Sequence, residues 1–134
     1  MKINIYPIGQ ILSTYKNIDE CPPNGWSSKY ISIMKINKNY AKGLIGLKEG
    51  MIIHVFWWFH KAERDILLQS PKTNSPEIGV FSMRSPQRPN PIALSLCKIK
   101  KINYNKIYVT GLEAINKSLI LDIKKAINYD QYIL

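Results

Sequence analysis

The chain has 134 residues, 46% of them hydrophobic, with 19 Lys+Arg against 9 Asp+Glu and a formal net charge of +10. That length suits one domain, residues 1–134, around one core, and the apolar content excludes a disordered polyelectrolyte. The charge points to a polyanionic partner, nucleic acid first, although Ile, Lys and Asn abound everywhere and such a composition supplies lysines without any binding role.

In chain order, Ile3 to Ser13 reads as a first strand, with Ile3, Ile5, Ile8 and Ile11 as core candidates and Pro7-Ile8-Gly9 as a bulge or bend. Tyr15 to Ser28 is a loop whose sharpest turn signal is Pro22-Pro23-Asn24-Gly25. Tyr30 to Ile36 is a second strand, and the spacing of Tyr40, Leu44 and Leu47 suggests a short helix over Asn39 to Leu47. Met51 to His60 is a strand with apolar residues on both faces, buried on both sides or at a subunit contact; parity groups His54, Phe56, Trp58 and His60. A short helical excursion is expected over Lys61 to Gln69 and a polar loop over Ser70 to Glu77. Strands follow at Ile78 to Ser82, Ile92 to Ile102, Ile107 to Leu112 and Ser118 to Lys124, with Asn103-Tyr104-Asn105 as a hairpin turn. The tail from Ala126 to Leu134 has no clear pattern. Many short strands and little helix give an all-β fold, a small antiparallel barrel or a sandwich, with one or two short helices.

Two cysteines, Cys21 and Cys97, make no disulfide framework and fit a reducing cytoplasm. The N-terminus lacks signal-peptide character, and the apolar stretch Met51 to Phe59 is far shorter than the roughly 18 residues of a membrane helix. Phosphate-loop glycine patterns, HExxH, cysteine clusters and a serine-hydrolase elbow are absent, so no metal site is expected.

The segment Arg84-Ser85-Pro86-Gln87-Arg88-Pro89-Asn90-Pro91 is the most informative. Three prolines stiffen it and remove backbone donors, while two guanidiniums offer bidentate grips for carboxylate or phosphate. A proline-rich turn or a PxxP ligand would share some of these letters, but the segment lies between strand-like runs, where a functional loop on a β scaffold fits better.

The stretch Gly79-Val80-Phe81-Ser82-Met83-Arg84-Ser85-Pro86-Gln87-Arg88-Pro89-Asn90-Pro91-Ile92-Ala93-Leu94-Ser95 resembles the signature G-V-F-A-T-R-S-P-x-R-P-N-P-I-G-L-S of the TsaA-like (TrmO-type) family. Pro7-Ile8-Gly9 with Ile11 and Ser13-Thr14-Tyr15, the aromatic run Phe56-Trp57-Trp58-Phe59-His60, and Leu121-Asp122-Ile123-Lys124 resemble further family elements in the same order. The resemblance implies a small antiparallel barrel that binds S-adenosylmethionine, usually as a homodimer, in its minimal single-domain form. It implies N-methylation of threonylcarbamoyladenosine beside the tRNA anticodon. The first-loop P-R-Q of the family is Pro22-Pro23-Asn24 here, its G-T-P is Lys117-Ser118-Leu119, the Pro-Tyr after D-I-K is Lys125-Ala126, and the glycine of N-P-I-G-L-S is Ala93.

By the same resemblance His60, Lys61, Arg84 and Leu94 surround the cofactor, with Arg84 or Lys61 for its carboxylate and Leu94 for the adenine. Glu113 stands where the family has aspartate and suits the ribose hydroxyls, with Ala114, Ile115 and Asn116 walling the same pocket. His60 is the candidate base, because imidazole is the side chain suited to proton transfer near neutral pH. Arg88, Asn90, Asp122 and Lys124 are candidates for organising the site or meeting substrate, Arg88 either through Asp122 or through RNA phosphate. For each there is a plainer reading: a structural histidine, a core leucine, a solvated glutamate, and an asparagine that only holds a turn. A methyltransferase of this fold with a small-molecule acceptor, and a non-catalytic RNA-binding barrel, are the competing functions.

Overall fold

The computed structural model describes residues 1–16, 20–21 and 29–127. The strands are β1 (Gly9–Leu12), β2 (Ile31–Ile36), β3 (Ile52–Trp58), β4 (Leu68–Gln69), β5 (Ile78–Gly79), β6 (Ile92–Asn103), β7 (Lys106–Thr110) and β8 (Leu119–Lys125), with 3₁₀ turns at Lys38–Leu44 and Val80–Ser82. Six of them close into a barrel in the order β1-β2-β7-β6-β3-β8, every pairing antiparallel, and β4 and β5 form a separate two-stranded ladder. The expected all-β barrel is therefore the fold.

Period-two alternation fills the barrel. Ile53, Val55 and Trp57 of β3, Cys97 and Ile99 of β6, Ile107 and Val109 of β7, Met34 and Ile36 of β2, Ile11 and Ile120 point inward and are buried. Each such large side chain contributes roughly 1.5–3 kcal/mol relative to exposure. Leu44 and Leu47 close one end by packing on this core after the first 3₁₀ turn. The opposite end is the mouth, where β1, β3 and β7 finish and β2, β6 and β8 begin. The turn Tyr104-Asn105 joins β6 to β7, with Tyr104 at φ 55.

Several expectations change. The first strand is only Gly9–Leu12; Ile3 and Ile5 are exposed, because the ladder to β2 begins at Gly9↔Ile36 and Pro7 offers no N–H. A Cβ at position 9 would collide with the Lys35 carbonyl, so only glycine allows this close approach. Lys61 to Gln69 contains no helix, since its backbone is committed to the proline-rich loop; Glu63 bonds to Gln87 and Arg88. The strand expected over Ile78 to Ser82 turns into 3₁₀ after Gly79. His54, Phe56 and Trp58 share the outer face of β3 and are half-buried, whereas His60 lies past its end and is exposed. The turn signal at 22–25 and the tail beyond Ile127 lie outside the described residues.

Candidate functional site

Residues 59–91 leave the barrel between β3 and β6, pinned where the Phe59 N–H donates to the Pro91 carbonyl (2.9 Å). With Pro86, Pro89 and Pro91 lacking donors, guanidinium and amide side chains hold this loop instead. Arg88 Nη2 donates to the Val80 and Met83 carbonyls, the latter at 2.8 Å, and so clamps the 3₁₀ turn Val80–Ser82. Its backbone N–H donates to Glu63 (3.2 Å), and the Glu63 N–H donates to Gln87 Oε1. The Ser85 hydroxyl donates to Gln69 Oε1 on β4 and accepts from the Gln87 N–H (3.2 Å). Arg88 is thus an organiser of the loop, acting through carbonyls rather than through Asp122.

Arg64 plays a part that sequence reading missed. Its Nε donates to the Pro89 carbonyl (2.7 Å), its Nη2 to Asn90 Oδ1 (3.3 Å), and its guanidinium lies 5.0 Å from the Trp58 ring centroid. Asn90 is therefore fixed by Arg64, and the Ile92 N–H returns to its carbonyl (2.7 Å). No local pattern betrays Arg64, since its partners are 25 and 26 residues away.

The Phe59–Pro91 bond sets the alternation along β6. Odd residues bond β3, so Leu94 turns its N–H and C=O away from β3. On that side the ladder to β7 begins only at Lys98↔Thr110. Beyond Thr110 the chain turns at Gly111 (φ 96), where a Cβ would sit 2.5 Å from the Leu96 oxygen. This leaves a gap in the strand pairing along that edge of the first half of β6, beside the segment after β7. Arg84 enters it: Nη2 donates to the Leu94 carbonyl (2.9 Å), while the rest of this side chain is exposed.

Glu113 flanks the same stretch of β6. Its Oε1 accepts from Ser95 Oγ (3.5 Å), and Ser95 in turn accepts from Trp57 Nε1 (3.0 Å). Both cysteines are thiols that feel Glu113: burial first, then this carboxylate, pushes Cys97 up, and burial, Glu113 and Glu20 push Cys21 up to about 11. Ala114 and Ile115 are fully buried. Asn116 ties this segment to the end of β1, its Oδ1 accepting from the Ser13 N–H (3.1 Å) and its N–H donating to Tyr15 (2.7 Å). Lys117 keeps φ 72, the conformation that a glycine of the family pattern would adopt freely.

Arg84 thus meets Leu94 and Glu113 meets Ser95 on adjacent residues of β6, Asn116 is tied to the end of β1, and His60 and Lys61 follow the end of the neighbouring β3. Asp122 and Lys124 pair with each other: they form an exposed ion pair (3.8 Å) on β8, opposite Phe56 and His54. Asp122 also borders a cavity of about 240 Å³ at the closed end, between Tyr40, Leu44, Leu47 and Ile123. Among the described residues no group of His, Cys, Asp and Glu gathers as a metal site, and no helix is long and apolar enough to cross a membrane.

Residues 10–131 match the family of the tRNA-methyltransferase O N-terminal domain. The chain belongs to that family. It is 39% identical over 119 residues to an S-adenosyl-L-methionine-binding protein of Archaeoglobus fulgidus, covering 89% of this chain and 86% of that one. It is 35% identical to the human tRNA (adenine(37)-N6)-methyltransferase, covering 92% of this chain but 30% of the human protein. The crystal structure of TrmO from Pseudomonas aeruginosa shares the fold, with a TM-score of 0.80 at 22% identity; the match spans 97% of this chain and 58% of that chain. Relative to the family pattern, Lys117 retains the glycine-like backbone, and Ala93 sits half-buried within β6.

Proposed function

We propose that this protein is an S-adenosylmethionine-dependent tRNA methyltransferase, acting on the exocyclic nitrogen of threonylcarbamoyladenosine beside the anticodon. The observation that carries this is the β6 gap, where Arg84 meets the backbone edge of Leu94, in a chain 39% identical to a protein named for S-adenosylmethionine binding. The residues around the gap fit the cofactor group by group. Arg84 has guanidinium donors beyond its bond to Leu94, and with Lys61 it suits the carboxylate. A cation beside a sulfonium is unfavourable, so Arg84 belongs at the carboxylate end. The Leu94 N–H suits the adenine, its carbonyl being held by Arg84, and the Glu113 carboxylate accepts hydrogen bonds from the ribose diol. When bound, the cofactor supplies an electrophilic methyl group on sulfur.

The side chains do the rest. In-line displacement needs alignment, which can supply roughly 7–11 kcal/mol. The loop ties through Arg88, Arg64 and Asn90 give Arg84 a fixed mount. A carbamoylated nitrogen must lose its proton as the new C–N bond forms, and exposed His60 is the base in this reading. Asp122 and Lys124, an exposed ion pair on β8 two strands from Leu94, belong to contacts of the outer surface with substrate. A homodimer fits the exposed Leu67, Leu68, Ile78 and Phe81 beside the loop, and a tRNA substrate fits a cytoplasmic location.

Calorimetric titration with S-adenosylmethionine and its demethylated product tests the site. Saturable binding by the wild type, lost in Arg84→Ala, is expected. Normal affinity in that variant removes Arg84 from the site, and no binding by folded wild-type protein leaves an RNA-binding barrel. Radiolabelled methyl transfer into bulk tRNA, compared with a metabolite extract, then decides between tRNA and a small-molecule acceptor.

A further inference from the structure

The positive charge of the chain is not spread evenly. Residues 29–48 and 98–112 hold nine of the 19 cationic side chains and none of the acids. The barrel brings these two segments together, because β2, β7 and β6 are adjacent strands. Their ladders align the outward positions in three rows. Lys35 faces Lys106, which faces Asn103; Ile33 faces Tyr108, which faces Lys101; Ile31 faces Thr110, which faces Lys98. Lys35, Lys98 and Lys101 are exposed and Lys106 is partly covered. The Lys101 ammonium lies 5.5 Å from the Tyr108 ring centroid.

This arrangement costs stability. Like charges directly opposite across an antiparallel pair repel, and Lys35 and Lys106 are such a pair. Among the described residues no ion pair relieves a lysine of this wall. A core of Met34, Ile107, Val109 and Ile99 asks nothing of the outer face that would require cations there. Strands about 4.8 Å apart and rows about 6.7 Å apart bring four ammonium groups onto one wall of the barrel, with an aromatic ring among them. The rows run roughly 13 Å along the barrel, and the Thr110 row is nearest the gap, since Gly111 and Glu113 follow it.

We infer that the outer wall of β2, β7 and β6 is an RNA-binding surface that tracks phosphates and leads a nucleotide toward the β6 gap. The inference rests on the proposed function only for the choice of RNA as the polyanion. Lysines without matching acids recognise backbone charge rather than sequence. Tyr108 provides a face on which a base or sugar can pack.

The test uses fluorescence anisotropy of labelled bulk tRNA at several salt concentrations. Each lost phosphate contact lowers the salt slope by about 0.7–0.9. The double variant Lys35→Gln with Lys106→Gln is expected to weaken binding and flatten the slope by about 1.5. Lys2→Gln with Lys72→Gln removes the same charge elsewhere and is expected to leave the slope alone, and Lys35→Arg with Lys106→Arg is expected to keep RNA affinity. Relief of the Lys35–Lys106 repulsion predicts a melting temperature at or above wild type for the glutamine pair, so weakened RNA binding is not misfolding. Equal losses in the two glutamine pairs, or no loss in the wall variant, would overturn the inference. Binding to phosphatidylserine vesicles as tight as to tRNA, and lost with the wall, would overturn it in favour of a membrane surface. S-adenosylmethionine titration separates the two readings: its failure in wild type removes the proposed function, while wall-dependent RNA binding stands or falls by itself.

Discussion

Replacing Arg88 by methionine keeps the aliphatic stem of the side chain and removes the guanidinium that holds the Val80 and Met83 carbonyls. Hydrogen bonds from a charged donor contribute roughly 1.5–3 kcal/mol each, so about 3–6 kcal/mol is lost if the loop keeps its shape. Next to the clamped turn the regular structure is short: β4 and β5 pair over two residues each, and the 3₁₀ turn has three. It therefore opens locally, while Ile53, Val55, Trp57, Ile107 and Val109 keep the barrel closed. Hydrogen exchange at Val80 and Met83 is expected to accelerate by at least about a hundredfold, with the amides of β3 and β7 unchanged. Cofactor affinity should fall with it, because Arg84 loses its mount. Unchanged exchange at Val80 and Met83, or loss of protection in β3 and β7 together with the loop, would refute this reasoning.

Gly111→Ala places a side chain at φ 96 and against the Leu96 oxygen, so urea unfolding should show a loss of about 2–4 kcal/mol. Lys117→Gly relieves a left-handed lysine and should gain about 0.5–1 kcal/mol after the backbone entropy of glycine is set against it. Cys21, raised from 9.0 to about 11, should react with iodoacetamide at pH 8 about a hundredfold more slowly than an ordinary thiol, and faster once Glu113→Gln removes one cause of the shift. The folded state holds this proton more tightly than the unfolded state. Its contribution to stability is therefore complete below pH 9 and is lost as pH rises through about 11. An alkylation rate at pH 8 equal to that of the unfolded chain contradicts the assignment.

The legible parts of the fold were those encoded locally. Met51 to His60 announces a strand and Asn103-Tyr104-Asn105 announces a turn, because neighbouring residues decide both, but both faces of that strand are apolar and only the closed barrel selects Ile53, Val55 and Trp57 as the inward set. Ile3 and Ile5 carry an equally good strand pattern and remain exposed, since a strand exists only where another strand lies beside it. At the site, Arg84 and Leu94 were visible through their resemblance to a family signature, and their bond joins residues only ten apart. Arg64 and Glu63 were invisible, because their value lies in carbonyls and amides presented by a loop some 25 residues away. For Arg88 the sequence offered Asp122 or an RNA phosphate as partner, whereas backbone carbonyls supply acceptors that a search among charged groups overlooks.

The ring closes where β1 meets β8, pairing Gly9 with Ile120. A nascent chain can form the β6–β7 hairpin as soon as those residues emerge from the ribosome, but β1 must wait, with one edge unsatisfied, until β8 has been made. Closure over so large a sequence separation is slow in comparison with local pairing. During that interval β1 and β2 present open backbone edges to other chains, and Lys35 of β2 with Lys106 of β7 then act as gatekeepers against edge-to-edge aggregation.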